Sequence, residues 1–349
     1  AAGAVGAVAL PWRAGSIATL LALLVVLYDA VLKRTLWGPL AMGGCRLLNV
    51  LLGIGVGRGT VESICTDLVE TPNPETIRQY VNKQLTVDRL PELERCLNDA
   101  LAAEIPLRVW RHACDSAIDF HDQSYYGKAS QEQGLWVRGR AKDGTTRFYR
   151  VATVYVILSG LRVTLAIHFV LPGEDTVTVL DVLLHRVENL DIPMHRLFLD
   201  KGFSGIDVMA YLSWRGLSAV IACPIRGRTG GTRALCRGRK GYRTTHTFNS
   251  QGGKSFTAEL AVCRVFTTAK RTGRMKRRAE WLIFILINLG LSPRQARRAY
   301  RRRFGVETSY RCTRQVRGWT TSPNPAYRFV LIGLSFFLLN VWLHLRWLF

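Results

Sequence analysis

Two apolar, β-branched runs, Phe148–Leu158 and Arg162–Val170, are separated by little more than Ser159-Gly160. So short a link leaves them one arrangement, an antiparallel hairpin, and an isolated hairpin needs further strands around it to be stable. The flanking segments supply them. Ala117–Phe120 reads as a short apolar strand interrupted by Asp119. Thr176–Leu190 repeats Val177, Leu180, Leu183, Leu184 and Val187 at helical spacing. Arg196–Leu199 is another strand, running out at Asp200, and a helix over about Ile206–Trp214 and a strand over Ala219–Cys223 follow. The resulting order is β-β-β-α-β-α-β.

Three antiparallel strands followed by alternating helices and parallel strands are the order of a ribonuclease-H-like α/β core with a mixed sheet, expected over residues 116–349. Residues 225–280 interrupt it as a β-rich basic insertion, with strands expected at Arg243–Phe248 and Ala258–Phe266. Within it, Gly252-Gly253-Lys254-Ser255 is not a P-loop, because Phe248 stands where that motif needs Gly. Trp281–Asn288 then reads as an apolar strand and Ser292–Arg317 as helical. Upstream, residues 60–115 form a small helical region in which Asn73-Pro74 marks a helix start. Its six basic and ten acidic side chains over residues 61–115 suit packing better than a DNA-reading helix-turn-helix. Residues 1–59 are an apolar leader. The apolar run Phe329–Phe349 is long enough to span a bilayer, but it carries Asn340, His344 and Arg346, and it is expected to pack on the sheet instead.

Charge narrows the function. The net charge is +23, yet residues 1–200 hold 20 basic and 21 acidic side chains. Residues 201–349 hold 28 basic against four acidic: Asp207, Glu259, Glu280 and Glu307. A compact block so unbalanced repels itself unless a polyanion neutralises it, and nucleic acid is the commonest such partner. Arg226, Arg228 and Arg233 stand in turn-rich sequence that projects them outward, as candidate DNA contacts. The eight cysteines show no C-x-x-C pair, which argues against a zinc ribbon and fits a reducing cytoplasm.

Two carboxylates stand out by position. Asp119 lies inside an apolar strand and Asp200 at the end of a neighbouring one, and a buried carboxylate is costly unless it is paired or binds a metal. A third candidate is Glu307, in Tyr300-x-x-Arg303-x-x-x-Glu307-x-x-x-x-x-x-Arg314. Intervals of three, four and seven place these four side chains on one helix face, provided Gly305 does not break the helix.

Asp119, Asp200 and Glu307, with the Y-(2)-R-(3)-E-(6)-K spacing around the Glu, resemble a DDE transposase of bacterial and archaeal insertion sequences. The resemblance covers roughly residues 60–349 and includes the β-rich insertion and Ile118-Asp119-Phe120-x-x-x-x-Tyr125-Tyr126-Gly127. One departure is Arg314 where the signature has Lys. The resemblance implies that the three acids hold two Mg²⁺ or Mn²⁺ ions for strand cleavage and strand transfer on double-stranded DNA. It also implies that Tyr300, Arg303 and Arg314 contact DNA near the cut, and that the active complex is an oligomer pairing two element ends. His121 and Asp122 read equally as supports for Asp119 and as loop residues.

A second resemblance lies upstream. Tyr28-Asp29-x-x-x-Lys33 and Gly38-Pro39-x-x-Met42-Gly43-x-Cys45-Arg46-x-x-Asn49-x-x-x-Gly53 are similar to an internal piece of a UbiA-type membrane prenyltransferase, over about forty residues. The Asp-rich motifs of that family are missing here, so the segment reads as a fragment without prenyl-transfer activity, or as an unrelated apolar leader. The expected location is the cytoplasm, on DNA, with membrane association only through residues 1–59. Two other readings stay open: a catalytically inactive DNA-binding remnant, and an integral membrane protein of the prenyltransferase type.

The charge division carries its own test. With six to ten phosphate contacts, DNA affinity is expected to fall ~10³–10⁵-fold between roughly 50 and 200 mM salt, as condensed counterions are released. A dissociation constant indifferent to salt would remove nucleic acid as the partner.

Overall fold

The computed structural model describes residues 73–127, 134–158, 161–271, 274–304, 313, 316–318 and 320–348. In chain order the elements that matter here are helices α1 (Pro74–Gln84) and α2 (Leu90–Ala103), strands β1 (Cys114–Ser124), β2 (Val137–Lys142), β3 (Thr145–Leu158) and β4 (Leu161–Val170), helix α3 (Thr176–Asn189), strand β5 (Met194–Leu199), helix α4 (Ile206–Trp214), strands β6 (Ala219–Cys223), β7 (Tyr242–Asn249), β8 (Ser255–Arg271) and β9 (Arg274–Ile287), and helices α5 (Pro293–Arg301) and α6 (Pro325–Leu348). The chain divides into two compact units.

The larger unit is a mixed α/β structure on one sheet, in which most strand pairs are antiparallel. Its order is β2-β3-β1-β5-β6-β9-β8-β7, with β4 also on β3. The expected hairpin is there: β3 and β4 pair antiparallel from Arg150↔Val170 to Leu158↔Leu161. β2 continues along the same edge of β3, at residues 145–148. Among the described residues only β1–β5 and β5–β6 are parallel. β3 is apolar and buried over most of its length, as a strand covered on both faces must be. Helix α3 packs on β3 and β4 through Val179, Leu180, Leu183, Leu184 and Val187. Asp175 caps it, accepting hydrogen bonds from the Val177 and Thr178 amides.

The structure adds to the expected order. β2 is an additional strand, because Val-Arg-Gly-Arg-Ala-Lys is a polar edge strand with no apolar period. The basic region holds strands over both expected spans, and β9 pairs antiparallel with both β6 and β8, so β7, β8 and β9 extend the main sheet. The strand expected at Trp281–Asn288 is the last part of β9. Gly252-Gly253 lies in the turn between β7 and β8, closed by the Ser250 amide donating to the Lys254 carbonyl at 2.9 Å.

The smaller unit contributes α1, α2 and α6. Asn73 caps α1, its side chain accepting from the Glu75 amide at 2.9 Å, as the Asn-Pro pair indicates. Helix α6 is long and apolar enough to cross a membrane by length and composition. Within the smaller unit it packs against α2. The approach is close at Gly333, where an added Cβ would lie 2.5 Å from Leu97 Cδ1. His344 Nδ1 lies 3.2 Å from Glu104 Oε2, which gives that polar position a partner.

Because no side chain fits between α6 and Leu97, Gly333→Leu is expected to destabilise the helical unit by about 1–3 kcal/mol, the usual range for overpacking. Denaturant unfolding followed by far-UV circular dichroism checks this. An unchanged midpoint would mean that the two helices separate freely.

Candidate active site

The site is built on the parallel pair β1–β5. Ile118 stands opposite Leu199 in their register, so Asp119 and Asp200 each follow the last paired residue of adjacent parallel strands. β5 ends there while β1 continues to Ser124, and the shared register sets both carboxylates at the same level across the two strands. Aromatic packing ties the two segments again. Phe120 stacks on Phe203, with ring centroids 4.8 Å apart and planes 6° from parallel. The residue after the first carboxylate therefore holds the 3-10 turn Lys201–Phe203 that follows the second.

The third side chain arrives from α5. Ser292 and Gln295 form a capping box that starts this helix, with Pro293 in the first turn. The helix stops at Arg301 and tightens into a 3-10 turn, Arg302–Phe304. That turn aims Arg303 between the two acids. Its Nη2 lies 3.0 Å from Asp119 Oδ2 and its Nη1 3.8 Å from Asp200 Oδ1. The Arg303 side chain is 11% exposed, against 20% for Asp119 and 48% for Asp200, so the closer pair is also the drier one.

Burial sets the electrostatics. Loss of solvation pushes the Asp119 carboxyl up to about 6; Arg303 pulls it down, Asp200 pushes it up, and the Phe120 amide donating at 3.0 Å pulls it down again. Burial works against the Arg303 charge, but Asp119, followed by Tyr300, Tyr155 and Asp200, outweighs it and raises that pKa above its ordinary value. Burial likewise raises the Tyr300 hydroxyl.

Tyr300 is a packing residue in this structure. It is 5% exposed, with its ring 4.9 Å from Phe284 and edge-on to Phe198 at 6.3 Å. Its hydroxyl donates to the Leu199 carbonyl at 3.3 Å and accepts from Arg303 Nη1 at 3.4 Å. A base-stacking platform needs an open face, which Tyr300 lacks here. Tyr300 and Arg303 do meet, as their spacing requires. Glu307 and Arg314 lie outside the described residues, and the helix expected to carry all four ends before Glu307. Among the described residues no three His, Cys, Asp or Glu side chains form a metal-holding group.

Arg226, Arg228 and Arg233 are exposed, as expected from their sequence. The loop that carries them is ordered around the buried Thr232, whose hydroxyl accepts from the Arg226 amide at 2.8 Å and donates to the Pro224 carbonyl at 2.9 Å. Arg233 Nε donates to the Gly227 carbonyl at 2.6 Å, so part of its fork is used internally. None of the three is brought to the Asp119–Asp200 pair by a hydrogen bond or ion pair among the described residues. His121 and Asp122 are strand residues, not loop residues. Asp122 turns to the Phe120 face of β1 and holds Arg150 bidentately at 2.7 and 2.9 Å.

Sequence reasoning missed Asp115. It is 5% exposed on the side chain and shares a face of β1 with Asp119, four residues along. Arg196 Nε and Nη2 each lie 2.9 Å from it, Arg302 Nη1 lies 3.2 Å away, and His195 Nδ1 lies 3.1 Å away. Adjacent arginines thus seat the end of α5 on one strand: Arg302 at Asp115, Arg303 at Asp119. The available signal was a second acid at strand period, two pairs of residues before the first. Cys223 and Cys263 behave as apolar residues: burial pushes the Cys223 thiol up to about 12 and Cys263 up to about 11.

A carboxyl whose folded pKa is raised favours folding below its unfolded value, and that advantage is lost as the pH climbs through the folded one. Asp119→Asn is therefore expected to gain on the native protein by up to about 3 kcal/mol as the pH rises through the window from about 4 to about 6. Denaturant unfolding of both proteins, stepped across that window with a chelator present, gives the difference directly. A difference constant with pH would show that Asp119 titrates as an exposed acid.

No protein-family model matches the chain, and no curated protein matches it. Among solved structures, the chain is similar to a piggyBac transposase in a cryo-EM structure of its synaptic complex with hairpin DNA. The identity is 12% and the TM-score 0.43, over 66% of this chain and 48% of that one, so the match spans about half the length of the piggyBac chain.

Proposed function

We propose that the larger unit is a DDE transposase, an enzyme that cleaves and rejoins DNA strands at the ends of an insertion sequence, on a ribonuclease-H-like core. One observation carries the reading. The two strand-borne acids selected from sequence converge on Arg303, a member of the same spaced motif that contains Glu307. The strand order supports it as well: β4-β3-β1 antiparallel, then β5 and β6 parallel to β1, with α3 and α4 as the crossovers.

The donor set suits a divalent cation. Asp119 and Asp200 offer hard carboxylate oxygens at one point, beside the guanidinium of Arg303 that already partners the buried Asp119. In this reading Asp119, Asp200 and Glu307 would hold two Mg²⁺ or Mn²⁺ ions, which would supply Lewis-acid activation for cleavage of a phosphodiester. The chain's own residues do the positioning. Arg303 keeps both carboxylates aimed at one spot, and Tyr300 fixes Arg303 against the Leu199 carbonyl. Arg303 also places a fixed positive charge beside the pair, where a scissile phosphate would otherwise be repelled by two acids. Double-stranded DNA is the partner, met by the basic C-terminal part of the chain, and an oligomer would bring two ends together.

The test uses a plasmid carrying the genomic DNA that flanks this gene. Asp119→Asn, Asp200→Asn and Glu307→Gln are each expected to abolish Mg²⁺-dependent nicking of that plasmid, with DNA binding changed less than about threefold. Near-normal cleavage in any of the three removes that residue from the site. Binding without cleavage by the native chain would leave a DNA-binding protein in place of an enzyme.

A further inference from the structure

Strands β8 and β9 are 17 and 14 residues long, far longer than their neighbours. β7 pairs with β8 only as far as Val262, and β6 pairs with β9 only from Ile283 onward. Over residues 263–271 and 274–282 the two strands pair solely with each other among the described residues, in unbroken register to Arg271↔Arg274. This is a two-stranded ribbon of roughly 30 Å at about 3.3 Å per residue. Neither of its edges carries a further strand among the described residues, a form that is marginal alone and invites a partner.

Its composition indicates which partner. The ribbon holds Arg264, Lys270, Arg271, Arg274, Lys276, Arg277 and Arg278, against the single acid Glu280. Paired residues share a face of a sheet. Arg264, Lys270 and Arg277 therefore fall on one face, and Arg271, Arg274, Lys276 and Arg278 on the other. At the root, Arg264 lies over the rings of Phe266 and Trp281, at 5.4 and 5.9 Å, which stiffens the base of the ribbon. An anionic bilayer or the flank of an acidic protein meets one face and leaves the other unneutralised. A groove walled by phosphates meets both. The major groove of B-form DNA is about 12 Å wide and admits a two-stranded β-ribbon, whereas the deep, narrow major groove of A-form RNA does not.

We propose that the β8–β9 ribbon enters the major groove of duplex DNA, and that this ribbon, more than the loop carrying Arg226, Arg228 and Arg233, anchors the chain on its substrate. The proposal rests on the reading of the larger unit as a DNA-processing enzyme and names the surface that grips the duplex.

The full chain is tested with a short random-sequence DNA duplex, an RNA duplex of the same sequence, and vesicles of phosphatidylserine and phosphatidylcholine. Replacing Lys270, Arg271, Arg274 and Lys276 together by Gln is expected to weaken duplex DNA binding ~10–100-fold and to flatten its salt dependence by nearly one unit of slope for each phosphate no longer neutralised. On the native chain, methyl green, which occupies the major groove, is expected to displace the protein, while the minor-groove ligand netropsin is not. These competition results hold even if the quadruple variant fails to fold. Unchanged DNA affinity in a folded variant, displacement by netropsin alone, equal binding of RNA, or binding to vesicles only would each overturn the proposal. Failure here is separable from failure of the enzymatic reading. Cleavage lost in Asp119→Asn but kept in the ribbon variant sinks only the ribbon, and groove binding by a chain that cleaves nothing sinks only the enzyme.

Discussion

The interaction on which the rest depends is the ion pairing of Arg303 with Asp119 and Asp200. Two acids level with one another, Asp119 within β1 and Asp200 just past the end of β5, repel one another, and one of them is largely shielded from water. Without a cation between them the two segments would be pushed apart or one carboxyl would stay protonated. The guanidinium resolves this because it is planar and always charged, and two of its nitrogens can face two acids at once. Its Nη1 also donates to the Tyr300 hydroxyl, which in turn donates to the Leu199 carbonyl. Removing either partner of such a buried pair is more damaging than never having built it.

The sheet explains how a helix from late in the chain reaches strands from early in it. Antiparallel pairing of β6 with β9 brings residues 283–287 beside residues 219–223, next to β5 and its terminal Asp200. Helix α5 starts six residues after β9 ends and packs on β8, so its C-terminal turn is delivered by the sheet extension itself. The Arg302–Asp115 pair then seats that turn two face-repeats along β1 from Arg303–Asp119. The basic extension thus belongs to the architecture of the site as well as to its surroundings.

What could be read from the residues follows a physical line. Helix Ile206–Trp214 and strand Ala219–Cys223 were readable to the residue, because apolar period and turn glycines mark both of them. Asp119 and Asp200 were readable because a carboxylate inside or at the end of an apolar strand violates the ordinary pattern. β2 and the outer parts of β8 and β9 were not, since their Thr, Lys and Arg residues carry no apolar period, and hydropathy is silent on cross-strand backbone pairing. The Asp115–Arg196 pair was equally hidden: it depends on the parallel register of β1 and β5, which puts residues eighty-one apart in the chain opposite one another. Tyr300 was assigned by motif to the ligand, whereas its aromatic neighbours Phe198 and Phe284 come from separate strands.

The unbroken pairing of β5, β6 and β9 makes the sheet a measuring device. Two interstrand spacings, about 10 Å, separate the strand that ends in Asp200 from the strand at the root of the ribbon. No hinge or linker lies in that path, only a rigid lattice of backbone hydrogen bonds. Whatever lies along the ribbon is therefore presented to the carboxylates at a set offset, like stock held against a fence beside a blade. Lengthening each strand of the ribbon by two residues would extend its reach by about 7 Å and leave the offset at its root unchanged. Altering the offset itself would take the insertion or loss of a whole strand.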